Sequence, residues 1–248
     1  MRWRFVDFEH WSAAMSMGLD EAVSEGVSRG TSPPTVRLYG WRPSAVSIGC
    51  FQSIGEEVDY PACLRAGVDV VRRRTGGGAV YHDENGEVTY SVICPEDLMP
   101  LDLDASYRDV CGRIVDALGL LGVKAAFAPV NDVQVGGKKI SGSAQTRRAG
   151  VFLQHGTLLL KLDRGRMFRF LKVREQKLED KGIIEPGERV VALDEISSAS
   201  KEEVLTALKT AFLKGRTWEA GSWKDDELTR ARQLAEQRYS SREWNFSR

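Results

Sequence analysis

Three consecutive glycines, Gly76-Gly77-Gly78, follow a strand-like run and three arginines, Arg72-Arg73-Arg74. Glycine loses more backbone freedom on folding than any other residue, so three in a row weaken a fold unless the backbone must pass close to something. Two readings are open. In one, the backbone lies against a ligand and offers it N–H groups, while the arginines supply delocalised charge suited to phosphate or carboxylate oxygens. In the other, the run is a glycine hairpin beside an exposed basic edge strand. The G-x-G-x-x-G spacing of a dinucleotide fingerprint is absent, and no G-K-[ST] follows as a P-loop requires.

The elements around this run mix strands and helices. Met15, Leu19, Ala22 and Val23 fall on one face of an early helix. Strands are predicted at residues 35–40, 45–49, 68–73, 87–94 and 153–160, the fourth alternating Val88, Tyr90 and Val92 with polar neighbours. Pro61 opens a short helix that Gly67 stops. Asp104 is placed as the cap of a longer helix carrying Tyr107, Cys111, Ile114, Leu118 and Leu121 on one stripe. Ser200 and Glu203 form a capping box ahead of Leu205, Leu208 and Phe212, and a last helix runs from about Asp225 to Tyr239. Short hairpins with helices of several connections predict a mixed sheet in an α+β fold, spanning 1–248 as one catalytic domain.

Charge narrows the function classes. With 35 Lys and Arg against 35 Asp and Glu the net charge is zero, which argues against a general nucleic-acid binder. No window approaches the about 18 uninterrupted apolar residues of a membrane span, and the N-terminus lacks a signal-peptide core. These features assign the chain to the cytoplasm. Cys50, Cys63, Cys94 and Cys111 form no CxxC pair, and they read as small hydrophobes in a reducing compartment.

Two further segments could carry chemistry. Asn131-Asp132 precedes the hairpin Val133-Gln134-Val135-Gly136-Gly137-Lys138-Lys139-Ile140. There Asp132 could hold magnesium, and a lysine on the return strand could face an acyl or phosphoryl oxygen. An aspartate in a turn and lysines at a hairpin tip are also ordinary solvated features. His155, in Leu153-Gln154-His155-Gly156-Thr157-Leu158, reads more readily as a packed or hydrogen-bonded residue than as a catalyst, and no catalytic triad follows from the spacing.

Taken together, Arg73 to Asp83, the pair Asn131-Asp132-Val133 and Lys138 to Ala144, and His155 to Leu158 resemble three motifs of lipoate–protein ligases. These belong to the superfamily of biotin and lipoate ligases and octanoyltransferases. Met17 to Ala22, Arg37 to Trp41, Gly49 to Gln52 and Glu243 to Asn245 match as well, so the resemblance covers nearly the whole chain. It implies a biotin/lipoate-ligase-like catalytic domain that activates lipoate or octanoate with ATP and Mg2+ to acyl-AMP. The acyl group then passes to a lysine of a lipoyl carrier domain, in the E2 subunit of 2-oxoacid dehydrogenases or the glycine-cleavage H protein. By matching position, Arg73 and Gly76 to Gly78 line the lipoate and phosphate cleft. Asn131 and Asp132 hold adenylate and metal, and Lys139 contacts the acyl carbonyl and α-phosphate as the catalytic residue. Thr75, Ala79, His82, Ser143 and His155 complete the substrate- and ATP-binding set.

The octanoyltransferases of the superfamily use a cysteine shortly before the second motif. Between Leu121 and Gly137 this chain has none, which turns the expectation toward the ligase. Ala144-Gln145-Thr146-Arg147 and Leu153-Gln154-His155-Gly156 have the texture of the transferase, which stands as the alternative. A non-catalytic lipoyl- or adenylate-binding homologue is a third reading, against which the intact Lys139, Asp132 and three glycines argue. The length matches a large subunit that works with a separate small accessory protein. No membrane or nucleic-acid partner is expected.

Overall fold

The computed structural model describes residues 1–172 and 189–248. The chain opens with β1 (Trp3–Trp11), α1 (Ala13–Ser28), β2 (Thr35–Trp41) and β3 (Ala45–Ile48). Two short helices, α2 (Ile54–Glu57) and α3 (Tyr60–Ala66), lead to β4 (Asp69–Arg72), β5 (Val80–His82) and β6 (Glu87–Pro95). After α4 (Leu103–Leu120) come β7 (Ala126–Ala128), β8 (Asp132–Val135), β9 (Lys138–Arg148), β10 (Val151–Leu159) and α5 (Arg164–Phe170). The remainder holds α6 (Lys201–Leu213), β11 (Trp218–Ala220), α7 (Asp225–Leu234) and α8 (Arg242–Asn245).

Among the described residues, eight strands form one sheet in the order β11-β1-β2-β6-β10-β9-β8-β7, and β4-β3-β5 form a second. Pairings of β1 with β11 and β2 are parallel, whereas those from β2 through β7 are antiparallel. This is the mixed α+β sheet that the pattern of short hairpins implies. Side-chain alternation divides the large sheet's two faces. Val88, Tyr90, Val92 and Cys94 of β6 pack with Val110, Ile114 and Leu118 of α4 and Phe212 of α6. The opposite face meets α1, where Val23 and Val27 contact Ile93, Val151 and Leu153. The small sheet packs its own core of Val46, Ile48, Cys63 and Tyr81. A cleft lies between the α1 side of the large sheet and the small one.

Several boundaries differ from those the sequence pattern predicts, each for a local reason. The cap of α4 is Asp102, whose Oδ1 accepts from the Ala105 N–H at 2.8 Å, and Asp104 instead ion-pairs with Arg108 one turn on. Helix α7 leaves α geometry at Leu234 and passes through one π turn, Ala235–Tyr239. Strand β1 has no counterpart among the strands expected from the sequence: its first four residues, Trp3, Arg4, Phe5 and Val6, are all buried, so it shows no alternation. Arg4 is tolerated inside because Glu227 accepts two of its N–H groups at 2.6 and 2.8 Å. Cys63, Cys94 and Cys111 are buried as expected, while Cys50 is partly exposed. No helix among the described residues is long and apolar enough to cross a membrane.

Candidate active site

The glycine run leaves β4 and turns into β5, and Gly77, Gly78 and Ala79 line one wall of a cleft of about 290 Å³. Within the run, Gly77 needs to be glycine: its φ is 93°, and a Cβ there would stand 3.0 Å from Arg73 Nη2. Gly49 must be glycine because a Cβ on it would sit 2.2 Å from the Gly77 carbonyl oxygen. Met17, Tyr39, Trp41, Leu159, Met167 and Leu171 give the cleft an apolar lining. Arg73, His82, Asn131, Lys139, Ser143 and His155 also border it, so three motifs distant in sequence meet there. Thr75, Gly76 and Asp132 stand behind this lining.

The arginines do not project free charge. Arg73 donates from Nε to Thr75 Oγ1 (3.2 Å), from Nη1 to the Ser47 carbonyl and Oγ (3.2 Å each), and from Nη2 to the carbonyls of Gly76 (2.7 Å) and Gly78 (2.8 Å). That accounts for all five guanidinium N–H groups. Burial pulls its pKa down to about 10, which leaves it cationic at neutral pH. Arg72 is likewise spent on carbonyls of Gly49, Gln52, Trp244 and Asn245, and Arg74 pairs with Glu21. The expectation that these arginines offer charge to a phosphate is corrected. Of the three, only Arg73 ties down the glycine loop's own backbone; Arg72 joins the Gly49–Gln52 turn to the Trp244–Asn245 segment, and Arg74 is spent on Glu21.

Both predicted histidines are backed by buried carboxylates. His155 Nδ1 lies 3.0 Å from Asp20 Oδ2 and its Nε2 lies 2.7 Å from Thr75 Oγ1. Burial holds His155 below its ordinary pKa despite the carboxylate beside it. Burial alone would raise Asp20; Arg37, His155 and Ser91 together outweigh it and hold the carboxyl below its ordinary value. His82 stacks on Trp41 at 4.0 Å, with Nδ1 2.7 Å from Glu87 Oε1 and Nε2 2.8 Å from Ser47 Oγ. Asp20, Glu87 and Ser47 are not among the site residues that the sequence motifs name. Asp20 does lie within the early segment that carries the family resemblance.

On the opposite wall, the Gly136-Gly137 turn has positive φ at both residues (57° and 79°), which lets β8 reverse tightly into β9. The reversal brings Lys139 Nζ to 2.6 Å from Asp132 Oδ1. Room for the pair depends on Gly142, where a Cβ would stand 2.5 Å from Lys139 Cε and Nζ. Asn131 is pinned to Ser143 in both directions, Nδ2 to the Ser143 carbonyl and Ser143 N–H to the Asn131 carbonyl. Ser143 Oγ in turn bonds Tyr90 Oη at 2.7 Å.

A family model described as the lipoyl protein ligase A/B catalytic domain matches residues 12–213. The chain belongs to that family. A relative from Anoxybacillus flavithermus named octanoyltransferase LipM is 36% identical, with 99% of this chain and 98% of that protein covered. One of the same name from Kyrpidia tusciae is 39% identical, with 98% of each covered. Among solved structures, a bipartite lipoate protein ligase of Thermoplasma acidophilum, studied with its E2 lipoyl domain, superposes with a TM-score of 0.87. It is 32% identical, with 99% of this chain and 96% of that chain covered. The relatives' names overturn the expectation of an ATP-dependent ligase that uses ATP and Mg2+ as cofactors. In the structure, the carboxylate assigned to the metal, Asp132, is paired with Lys139.

Proposed function

We propose that this chain is an octanoyltransferase that moves an octanoyl group from an acyl-carrier-protein thioester to a lysine of a lipoyl carrier domain. The observation that carries this reading is Lys139 at the rim of a largely apolar cleft, in a chain aligned over almost its full length with proteins named octanoyltransferase. The apolar lining of Tyr39, Trp41, Leu159 and Met167 suits an acyl chain. The Lys139 ammonium suits the thioester carbonyl oxygen, where negative charge develops in acyl transfer.

None of the four cysteines lines the cleft. Burial raises Cys63 to about 11 and Cys94 to about 12, and it raises Cys111 as well, which disfavours the nucleophilic thiolate at each. In the proposed route the carrier lysine therefore attacks the thioester directly. Its neutral amine forms the C–N bond as the C–S bond breaks, and the ammonium proton leaves with the departing thiolate as a thiol.

The test mixes the protein with octanoyl-acyl carrier protein and, in parallel, an E2 lipoyl domain or an H protein, without nucleotide. Mass gain of one octanoyl group on the carrier lysine supports the reading, and the variant with all four cysteines changed to alanine should retain the activity. Transfer that occurs only with free acid and ATP would overturn it. A trapped octanoyl-cysteine whose replacement abolishes transfer would overturn the direct route alone.

A further inference from the structure

We propose that Arg73 is a positioning residue suspended between two buried carboxylate–histidine–hydroxyl arms, and that Ser47 and Thr75 shape the glycine loop through it. One arm runs from Asp20 on α1 through His155 on β10 to Thr75. The other runs from Glu87 on β6 through His82 on β5 to Ser47 on β3. Both hydroxyls accept from the Arg73 guanidinium. All seven residues are buried.

With neutral imidazole rings, the carboxylates set the donor and acceptor roles. A carboxylate only accepts, so each histidine must place its proton on Nδ1, and the Nε2 of a neutral ring then accepts. Each hydroxyl therefore donates to a histidine and turns its lone pairs toward Arg73. With three N–H groups left, Arg73 holds the carbonyls of Ser47, Gly76 and Gly78.

The result bears on what the loop can offer. Two of its carbonyls are drawn to the guanidinium, while the N–H groups of Gly76, Gly77, Gly78 and Ala79 find no acceptor among the described residues. Along the cleft wall the unspent N–H groups of Gly77, Gly78 and Ala79 are donors suited to an oxygen. The Gly77 carbonyl, also without a hydrogen bond among the described residues, is turned toward Gly49. That this oxygen belongs to an acyl donor rests on the function proposed above; the suspension of Arg73 does not.

The experiment compares Thr75→Val, Thr75→Ser and Ser47→Ala, with Thr75→Val repeated in an Arg73→Lys background. Two readouts are taken: 15N order parameters of the Gly76–Gly78 amides in the protein without substrate, and kcat and KM for octanoyl transfer. Thr75→Val and Ser47→Ala should each lower the loop order parameters while those of β6 and β10 stay fixed. Each should also reduce kcat about tenfold, the scale of one lost hydrogen bond, with KM for the donor within about twofold. Thr75→Ser should restore both readouts, and in the Arg73→Lys background Thr75→Val should have no further effect. An unchanged loop in Thr75→Val, failure of Thr75→Ser to rescue, or a full additional loss in the Arg73→Lys background would overturn the proposal. Should Thr75→Val not fold, Ser47→Ala decides from the other arm. A wild-type protein that transfers no octanoyl would refute the function while the order parameters still decide the suspension.

Discussion

Lys139 is 39% exposed and its partner Asp132 27% exposed, so this ion pair contributes little to stability but fixes where a positive charge stands. Lys139→Ala should therefore leave thermal unfolding nearly unchanged and lower octanoyl transfer by roughly 10²–10³-fold, as loss of an oxyanion donor does. Lys138→Ala, its exposed neighbour, should be mild; equal losses in the two variants would remove the role given to Lys139. Gly142→Ala offers a separate check, because the new methyl clashes with the flexible end of the Lys139 side chain at 2.5 Å and meets Asp132 Oδ1 at an ordinary 3.5 Å. Its melting temperature should hold while transfer falls toward the Lys139→Ala level, and a fully active Gly142→Ala protein would contradict the geometry. Lys139, His82 and His155 are legible in the sequence because they stand inside motifs. Glu87 is not, since on β6 it reads as one polar residue in an alternating strand, and only folding brings it under His82.

At the scale of elements, local chemistry announces itself where a few adjacent residues suffice. The Ser200–Glu203 capping box forms in both directions, and the paired glycines make their tight turn. Strand β1 is silent because its evidence is tertiary. Arg4 enters the core only with Glu227, 223 residues later in the chain, so alternation fails as a signal there. This pair fastens α7 beside the strand. Breaking one half leaves a buried uncompensated charge, so Glu227→Ala should destabilise the protein by about 3–5 kcal/mol in urea unfolding. Replacement of both residues by apolar groups should recover much of that loss. A Glu227→Ala protein as stable as the wild type would show that the pair is solvated.

For the whole molecule, the buried Asp20–His155 pair ties stability to pH. The folded-state pKa of His155 lies below its ordinary 6.5, so on acidification the unfolded chain takes up this proton first. Its contribution is fully present above 6.5 and declines below it. Asp20, also held low, acts in the same sense at more acidic pH: its contribution is lost as pH falls through its folded value. The melting temperature should fall as pH drops from about 7 to about 5, and His155→Gln should flatten that slope. A wild-type melting temperature that rises over this range would contradict the assignment.

Arg72 carries a consequence for synthesis. Its N–H, Nε and Nη2 groups bond the Asn245 side chain, the Trp244 carbonyl and the Asn245 carbonyl, and Trp244 Nε1 returns a bond to the Arg72 carbonyl. The strand that feeds the glycine loop is thus latched by residues translated some 170 positions after it. A nascent chain can pair most of its large sheet as it emerges, yet the loop gains its latch only when Trp244 and Asn245 have left the ribosome. A message cut short ahead of them would yield a folded sheet with its cleft unfinished.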